Sequence, residues 1–377
     1  MPQTRMHELA ELGQSLWLDN ISRSMIEKGS LQSLIDRGLR GQTSNPTIFK
    51  QAVSQSADYD QKIIELTESG KSIFEIYDEI TTRDVREACD LFKGVYQSTN
   101  AQDGYVSLEI NPHLANTYEE QFEEGLRLWQ KVAHPNLMIK VPGTKNGCRV
   151  VEDLLAQGVN VNVTLIFSAE QYQEVAWAYV RGMNRLLSAG KDLSKVRSVA
   201  SVFVSRIDSA VDKMLDDKIA ASNDGAPKVN LEAFKNKAAV ANSEIVFHKY
   251  NKLFSSPEFK VLQQKGAQPQ RVLWASTGTK NPKYSDIKYI TELIASPTVN
   301  TVPDKTLEAF LDHGVAKIAM PGNVAAAQKI LEELRAQGID VSVVCLKLLA
   351  DGLVAFDQSF DELTKSIEEK AKRLTTR

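Results

Sequence analysis

Cysteine and histidine are scarce in this chain. The three cysteines, Cys89, Cys148 and Cys345, are too few and too scattered for a disulfide framework or a structural zinc site. Such usage fits a reducing cytoplasm. Nucleotide-binding glycine motifs are missing too. No GxGxxG follows the first apolar run and no GxxxxGK[ST] occurs, which speaks against a doubly wound dinucleotide fold. No stretch approaches the roughly 18 consecutive apolar residues of a membrane span, so no membrane partner is expected. The opening MPQTRMHELAELGQSLWLDN has no apolar core behind a basic start, unlike a secretory signal, and neither end carries a lipidation box. Charge of one sign is also lacking. A net charge of −3 and a pI near 6.1 give no field to draw nucleic acid, which is not expected as a partner. There is no low-complexity tract and no repeat of fixed period.

What remains has the composition of an ordinary globular protein, 42% hydrophobic and 25% charged, and this excludes global disorder. A length of 377 residues admits two or three domains, or one α/β barrel with additions. Short apolar runs recur at Ser15–Leu18, Gly104–Ile110, Leu137–Val141, Val159–Phe167, Val199–Val204 and Arg271–Ser276. Weaker ones surround Arg40–Thr43, Thr298–Val302 and Val315–Met320. Amphipathic stretches such as Tyr118–Lys131, Gly147–Gln157 and Ala169–Ala189 lie between them. Strands alternating with helices predict a parallel sheet, and a count near eight predicts a closed (β/α)8 barrel. The expectation is a single barrel domain over residues 1–377. A lysine-rich helical insertion over Asp212–Gly266 is expected within it, broken at Ser222–Lys228 and read first as a solvated flank. An amphipathic helix is expected over Phe360–Arg377.

Barrel active sites form at the C-terminal ends of the strands, so the polar residue closing each run becomes informative. LWLDN ends in Asp19 and Asn20, the aspartate being either a helix N-cap or a site carboxylate. GQTSNPTIF carries Asn45 before Pro46, which biases Asn45 to extended backbone, in a site or in a simple turn. In YVSLEI, Glu109 points by alternation to the side of Ser107, into the barrel or onto its upper rim, and a lone buried carboxylate is costly. LMIKVPGTKNG places Lys140 inside an apolar strand. Either it pairs with a glutamate such as Glu109, or desolvation favours its neutral amine, which can form a Schiff base. VNVTLIF turns Asn162 and Thr164 to one face, suited to hydrogen bonds with a polyol or with water. SVFVSRID supplies Ser201 and Arg206, the arginine being an anion clamp or, more commonly, a surface ion pair. WASTGTKNP adds Ser276 and Lys280 in a loop position where barrels often hold phosphate.

Together these form a polar ring around one central amine, and the set resembles the transaldolase family. GQTSNPTIF (Gly41–Phe49) and LMIKVPGTKNG (Leu137–Gly147) are similar to its two signatures. LWLDNISR, SLEINP, VNVTLIF and SVFVSRID resemble further segments in family order, so the likeness covers essentially the whole chain. The helical insertion and the WASTGTKNP loop resemble the longer bacterial type. The resemblance implies a barrel of the class I aldolase kind, permuted. It also implies transfer of a dihydroxyacetone unit in the non-oxidative pentose phosphate pathway. Donors would be sedoheptulose 7-phosphate or fructose 6-phosphate, and acceptors glyceraldehyde 3-phosphate or erythrose 4-phosphate.

By the same resemblance Lys140 matches the Schiff-base lysine and Asp19 the acid/base acting on the C4 hydroxyl. Glu109 and Thr164 match the pair that positions water. Asn45 and Asn162 match donors to the sugar, and Ser201, Arg206 and Ser276 match substrate or phosphate contacts. One departure stands out. The short form carries a second phosphate-binding arginine where this chain has Thr277–Lys280, and Lys280 offers a point charge rather than a fork. No cofactor and no metal are implied, because an iminium on Lys140 itself absorbs the carbanion charge. The five histidines, His7, His113, His134, His248 and His313, need no catalytic role. Two rivals share the scaffold: a fructose 6-phosphate aldolase-like lyase, and a non-catalytic sugar-phosphate-binding barrel. Sugar phosphates are the expected partners, and a homodimer is left open.

Overall fold

The computed structural model describes residues 3–221 and 230–375. Eight parallel strands close a barrel in sequence order. They are β1 (Gln14–Leu18), β2 (Gly41–Thr43), β3 (Tyr105–Glu109), β4 (Leu137–Pro142), β5 (Val161–Ile166), β6 (Ser198–Phe203), β7 (Arg271–Ala275) and β8 (Thr298–Val302). Closure is made by β1 against β8, with Gln14 opposite Thr298 and Leu18 opposite Val302. Strands buried on both faces need no polar alternation, which is why runs such as LMI and SVF announce themselves.

The run Val315–Met320 is not a strand. Once β8 has paired with β1 the barrel has no free edge, and a ninth run finds no partner. Its last residues instead lie against the preceding segment, with the Ala319 and Met320 amides both donating to the Ile294 carbonyl.

Helices connect the strands on the outside, many with side-chain caps. Asn45, Thr144 and Ser168 each accept a hydrogen bond from the backbone amide three residues on, starting helices Pro46–Gln55, Lys145–Gln157 and Ala169–Ser188. In the second of these, a Cβ on Gly147 would lie 1.8 Å from the Pro142 carbonyl oxygen. The glycine of PGTKNG therefore seats the helix against the end of β4.

Within Asp212–Gly266 the described residues form the end of helix Ser205–Ala221, then helices Ala238–Phe254 and Pro257–Gln264. The expected break at Ser222–Lys228 lies outside the described residues. Helix Ala238–Phe254 is not a solvated flank. It buries Ala238, Ala239, Ala241, Val246, Phe247 and Tyr250 and packs on helix Ala169–Ser188. Its lysines, Lys249 and Lys252, sit toward its C-terminal end, and the buried face mixes small residues with Phe247 and Tyr250.

The C-terminal helix is longer than its charged half suggested. It runs Val341–Thr375 and touches helices Pro46–Gln55, Asp60–Glu68, Ile73–Ser98 and Ser205–Ala221, as well as β5. Among the described residues no helix is long and apolar enough to cross a membrane.

Candidate active site

The strand ends deliver most of the expected residues to one cavity, with Glu109 and Asn162 beside and beneath it. A cavity of about 320 Å³ opens at the C-terminal end of the barrel. Asp19, Asn45, Lys140, Thr164, Ser201, Arg206, Ser276 and Lys280 all line it. None of the five histidines does, and among the described residues no His, Cys, Asp and Glu group is arranged to hold a metal.

Register explains the centre of the site. Glu109 pairs with Lys140 across β3 and β4, and Lys140 with Asn162 across β4 and β5. Residues paired across parallel strands point the same way, here inward. Lys140 is 4% exposed and Glu109 6%. The Lys140 Nζ donates to the Glu109 Oε2 at 3.2 Å and to the Ser44 carbonyl at 3.0 Å. Of the two readings left open for this lysine, pairing with Glu109 is thus realised. It leaves the amine on the cavity wall, where it can still meet a ligand. Burial raises the Glu109 carboxyl above its ordinary range, and the nearby Lys140 ammonium opposes that rise. A glutamate so placed can hold a proton or give it up to its neighbour. The other Glu109 oxygen has no protein partner among the described residues.

Asp19 follows β1, its amide held by the Val302 carbonyl at 2.8 Å. It is half-buried, opening on the cavity. It caps no helix; Ser22 does that for the helix Arg23–Glu27. The Thr43 hydroxyl donates to Asp19 Oδ1 at 2.7 Å and contacts the Thr301 hydroxyl at 2.8 Å. Burial pushes the Asp19 carboxyl upward, with Lys140 and the Thr43 hydrogen bond pulling it back. The balance favours a group that takes and returns a proton.

Around this pair stand the groups for a polar ligand. The Thr164 hydroxyl is fully buried, lines the cavity and has no hydrogen-bond partner among the described residues. An unmet buried hydroxyl is costly unless water or ligand meets it. Asn45 is extended as Pro46 requires (φ −158°), and its Oδ1 caps the following helix. Its Nδ2 donor has no partner among the described residues, so cap and ligand contact are compatible. Asn162 differs from expectation in detail. It does not line the cavity but lies beneath it, accepting from Ser201 Oγ at 2.6 Å and donating to Ser107 Oγ at 3.0 Å. That chain fixes Ser201, which does reach the cavity.

Arg206 opens helix Ser205–Ala221, stacked over the Phe203 ring at 5.3 Å. It is half-buried and makes no ion pair among the described residues, so the surface ion pair considered from the sequence is not formed. Desolvation lowers its pKa, yet a guanidinium stays charged at any ordinary pH. Ser276 adopts left-handed backbone (φ +53°) at the cavity edge, its hydroxyl 3.1 Å from that of Ser205. Lys280 stands exposed at the rim and makes no ion pair among the described residues. Two cations without an ion pair among the described residues thus line the cavity beside serine hydroxyls, an arrangement able to attract an anion.

Sequence reasoning missed three contributors. Thr43 and Thr301 were visible in QTS and TVNTV but had no stated partner. Phe356 could not be foreseen. It comes from the C-terminal helix and brings its ring 5.7 Å from Lys140 Nζ.

Residues 16–367 match the family model described as Transaldolase/Fructose-6-phosphate aldolase. The chain is 43% identical over 378 residues to a transaldolase of Trichodesmium erythraeum, covering 100% of both chains. It is 43% identical to one of Saccharopolyspora erythraea, covering 97% of this chain and 98% of the other. A third, from Mycobacterium marinum, is 41% identical, with 97% of each chain covered.

Proposed function

Because the chain belongs to the transaldolase/fructose-6-phosphate aldolase family, we propose that it acts as a transaldolase whose Schiff-base residue is Lys140. The observation that carries this reading is the Lys140 amine, buried beside a glutamate yet open on a cavity with two cations that make no ion pair among the described residues.

In the proposed reaction the Lys140 amine, its proton passed to Glu109, attacks the ketone carbon of fructose 6-phosphate or sedoheptulose 7-phosphate. The carbinolamine loses water to give an iminium. Glu109 supplies the proton for the departing hydroxyl, and the otherwise unpartnered Thr164 hydroxyl supports that water. Asp19 then takes the proton of the C4 hydroxyl. The C3–C4 bond breaks, its electrons flow to the iminium nitrogen, and an aldehyde leaves. The enamine attacks the acceptor aldehyde, glyceraldehyde 3-phosphate or erythrose 4-phosphate, and Asp19 returns its proton to the new alkoxide. Water then releases the product ketose. The raised Asp19 carboxyl supports this part, since a base must accept and return one proton per half-reaction. Arg206, Ser276 and Lys280 would hold the phosphate, and Asn45 and Ser201 the sugar hydroxyls. Asn162 would act by holding Ser201.

The pathway would be the non-oxidative pentose phosphate pathway, in the cytoplasm. Trapping tests the reading directly. Fructose 6-phosphate and borohydride should fix a reduced adduct on the peptide containing Lys140, as read by mass spectrometry. An adduct on any other lysine, or none from an active enzyme, rejects the assignment. A lyase would release dihydroxyacetone without an acceptor as fast as it turns over with one.

A further inference from the structure

The enamine proposed above is a carbon nucleophile that must wait for an aldehyde while water stands nearby. Protonation at that carbon, followed by hydrolysis of the iminium, would free dihydroxyacetone and waste the donor. The iminium nevertheless needs water at its own carbon to release product. The site must therefore hold one water for the iminium and refuse solvent at the enamine carbon.

Phe356 is placed to do this. It is 7% exposed and lines two neighbouring spaces. One is the substrate cavity. The other is a small hollow of about 10 Å³ bounded by Glu109, Pro142, Leu165 and Leu353 among others. That volume suits a single water molecule. The ring thus borders both the hollow beside Glu109 and the cavity that holds Lys140 and Thr164, and it covers the lysine on that flank. Its position is fixed by the helix that carries it. One turn earlier, at Gly352, an added Cβ would come within 3.0 Å of the Leu165 side chain and 3.7 Å of Arg206 Nη1. The absent side chain lets the helix lie directly over β5 and beside the phosphate wall.

Resting on the transaldolase reading, we propose that Phe356 is a specificity-determining positioning residue, whose ring keeps solvent water from the enamine carbon while the water held by Glu109 and Thr164 stays, and so commits the enamine to transfer. With the ring present, the enamine carbon bonds to the acceptor carbonyl carbon and the acceptor oxygen takes its proton from Asp19. With the ring removed, the same carbon takes a proton from water, the iminium adds hydroxide, and the C–N bond breaks to give dihydroxyacetone and free Lys140.

The test measures the ratio of acceptor-free dihydroxyacetone release to acceptor-dependent transfer, with fructose 6-phosphate as donor. In Phe356→Ala this ratio should rise about tenfold or more, as expected when water gains access to a reactive intermediate. In Phe356→Leu the rise should be smaller, and in Gly352→Ala smaller again but of the same sign. In deuterated solvent the released dihydroxyacetone should carry one deuterium at the former enamine carbon. Borohydride trapping on Lys140 should persist in all three. Release and transfer falling in parallel, with the ratio fixed in both Phe356→Leu and Gly352→Ala, would overturn the proposal even if Phe356→Ala did not fold. Absence of trapping in the parent protein would instead reject the Schiff-base reading.

Discussion

Strand β3 lies between two acids that have opposite fates. Asp103, just before it, meets Arg271 Nη2 at 2.9 Å and receives the Ser15 hydroxyl at 2.8 Å. The same guanidinium also donates to Ser15 and to the Gln102 carbonyl. Glu109, at the other end, has one contact at 3.2 Å with a lysine that is shared with a carbonyl. Both pairs are largely buried. The lower pair is knitted by several hydrogen bonds within the protein, while the upper pair keeps an oxygen and a cavity-facing amine in reserve. A buried pair is a structural strut when its donors and acceptors are used up, and a reactive centre when some are left over. The chemistry of the residues also differs. A stranded glutamate can take up a proton, whereas a stranded arginine cannot shed one.

That contrast can be broken by mutation. Lys140→Met should lower kcat by about 10⁴-fold or more, as loss of a nucleophile does elsewhere. Yet its unfolding free energy should stay within about 1 kcal/mol of the parent, because Glu109 neutralises itself by protonation. Steady-state assays and urea melts would check both halves. Asp19→Ala keeps the amine, so borohydride should still trap donor, while turnover falls by about 10²–10⁴-fold, the usual worth of a positioned acid/base. At the lower pair the signs reverse. Asp103→Ala leaves the Arg271 charge uncompensated and should cost about 3–5 kcal/mol in a urea melt. Its KM and kcat, measured on the remaining folded protein, should be close to parental.

Smaller effects sharpen the upper end. Arg206→Ala should raise KM for phosphorylated donors about 10–100-fold, the worth of a charge-assisted hydrogen bond, with kcat little changed. Unphosphorylated dihydroxyacetone as donor should lose much less, and an equal loss would refute the phosphate role. Smallest is Thr43→Val. The Asp19 carboxyl already lies above its ordinary range, and the Thr43 donor holds it down. Removing that donor destabilises the carboxylate and raises the pKa further. The acidic limb of the kcat/KM profile should therefore move to higher pH, by about one unit or less. The linkage runs the same way in stability. A raised folded-state pKa means ionised Asp19 disfavours the fold, so its contribution worsens as pH climbs from the unfolded value through the folded one, and more so in Thr43→Val.

Much of this centre was legible because parallel barrel strands are apolar on both faces, so each polar residue in them stands out. Lys140 inside LMIKV and Asn162 with Thr164 inside VNVTLIF are such cases. The same contrast misled at Val315–Met320, where composition matched a strand but no edge was left to accept it. It also left the height of Asn162 open, since alternation tells inward from outward but not height above the floor. Helix Ala238–Phe254 looked solvated because its lysines are conspicuous while its alanines are not. Phe356 was illegible for a different reason. Nothing local distinguishes it from any apolar residue on an amphipathic helix, and its role depends on where that helix crosses the barrel.

The crossing has a consequence for assembly. Barrel closure joins β1 to β8, and helix Val341–Thr375 follows β8 in the chain. The eight strands can therefore be complete before the helix docks. Until it does, Lys140 lies uncovered in a cup open to every small aldehyde and ketone of the cell. An amine that makes covalent bonds with carbonyl compounds does not discriminate by itself, so during folding the late helix works as a safety catch, bringing selectivity and reactivity together in one step.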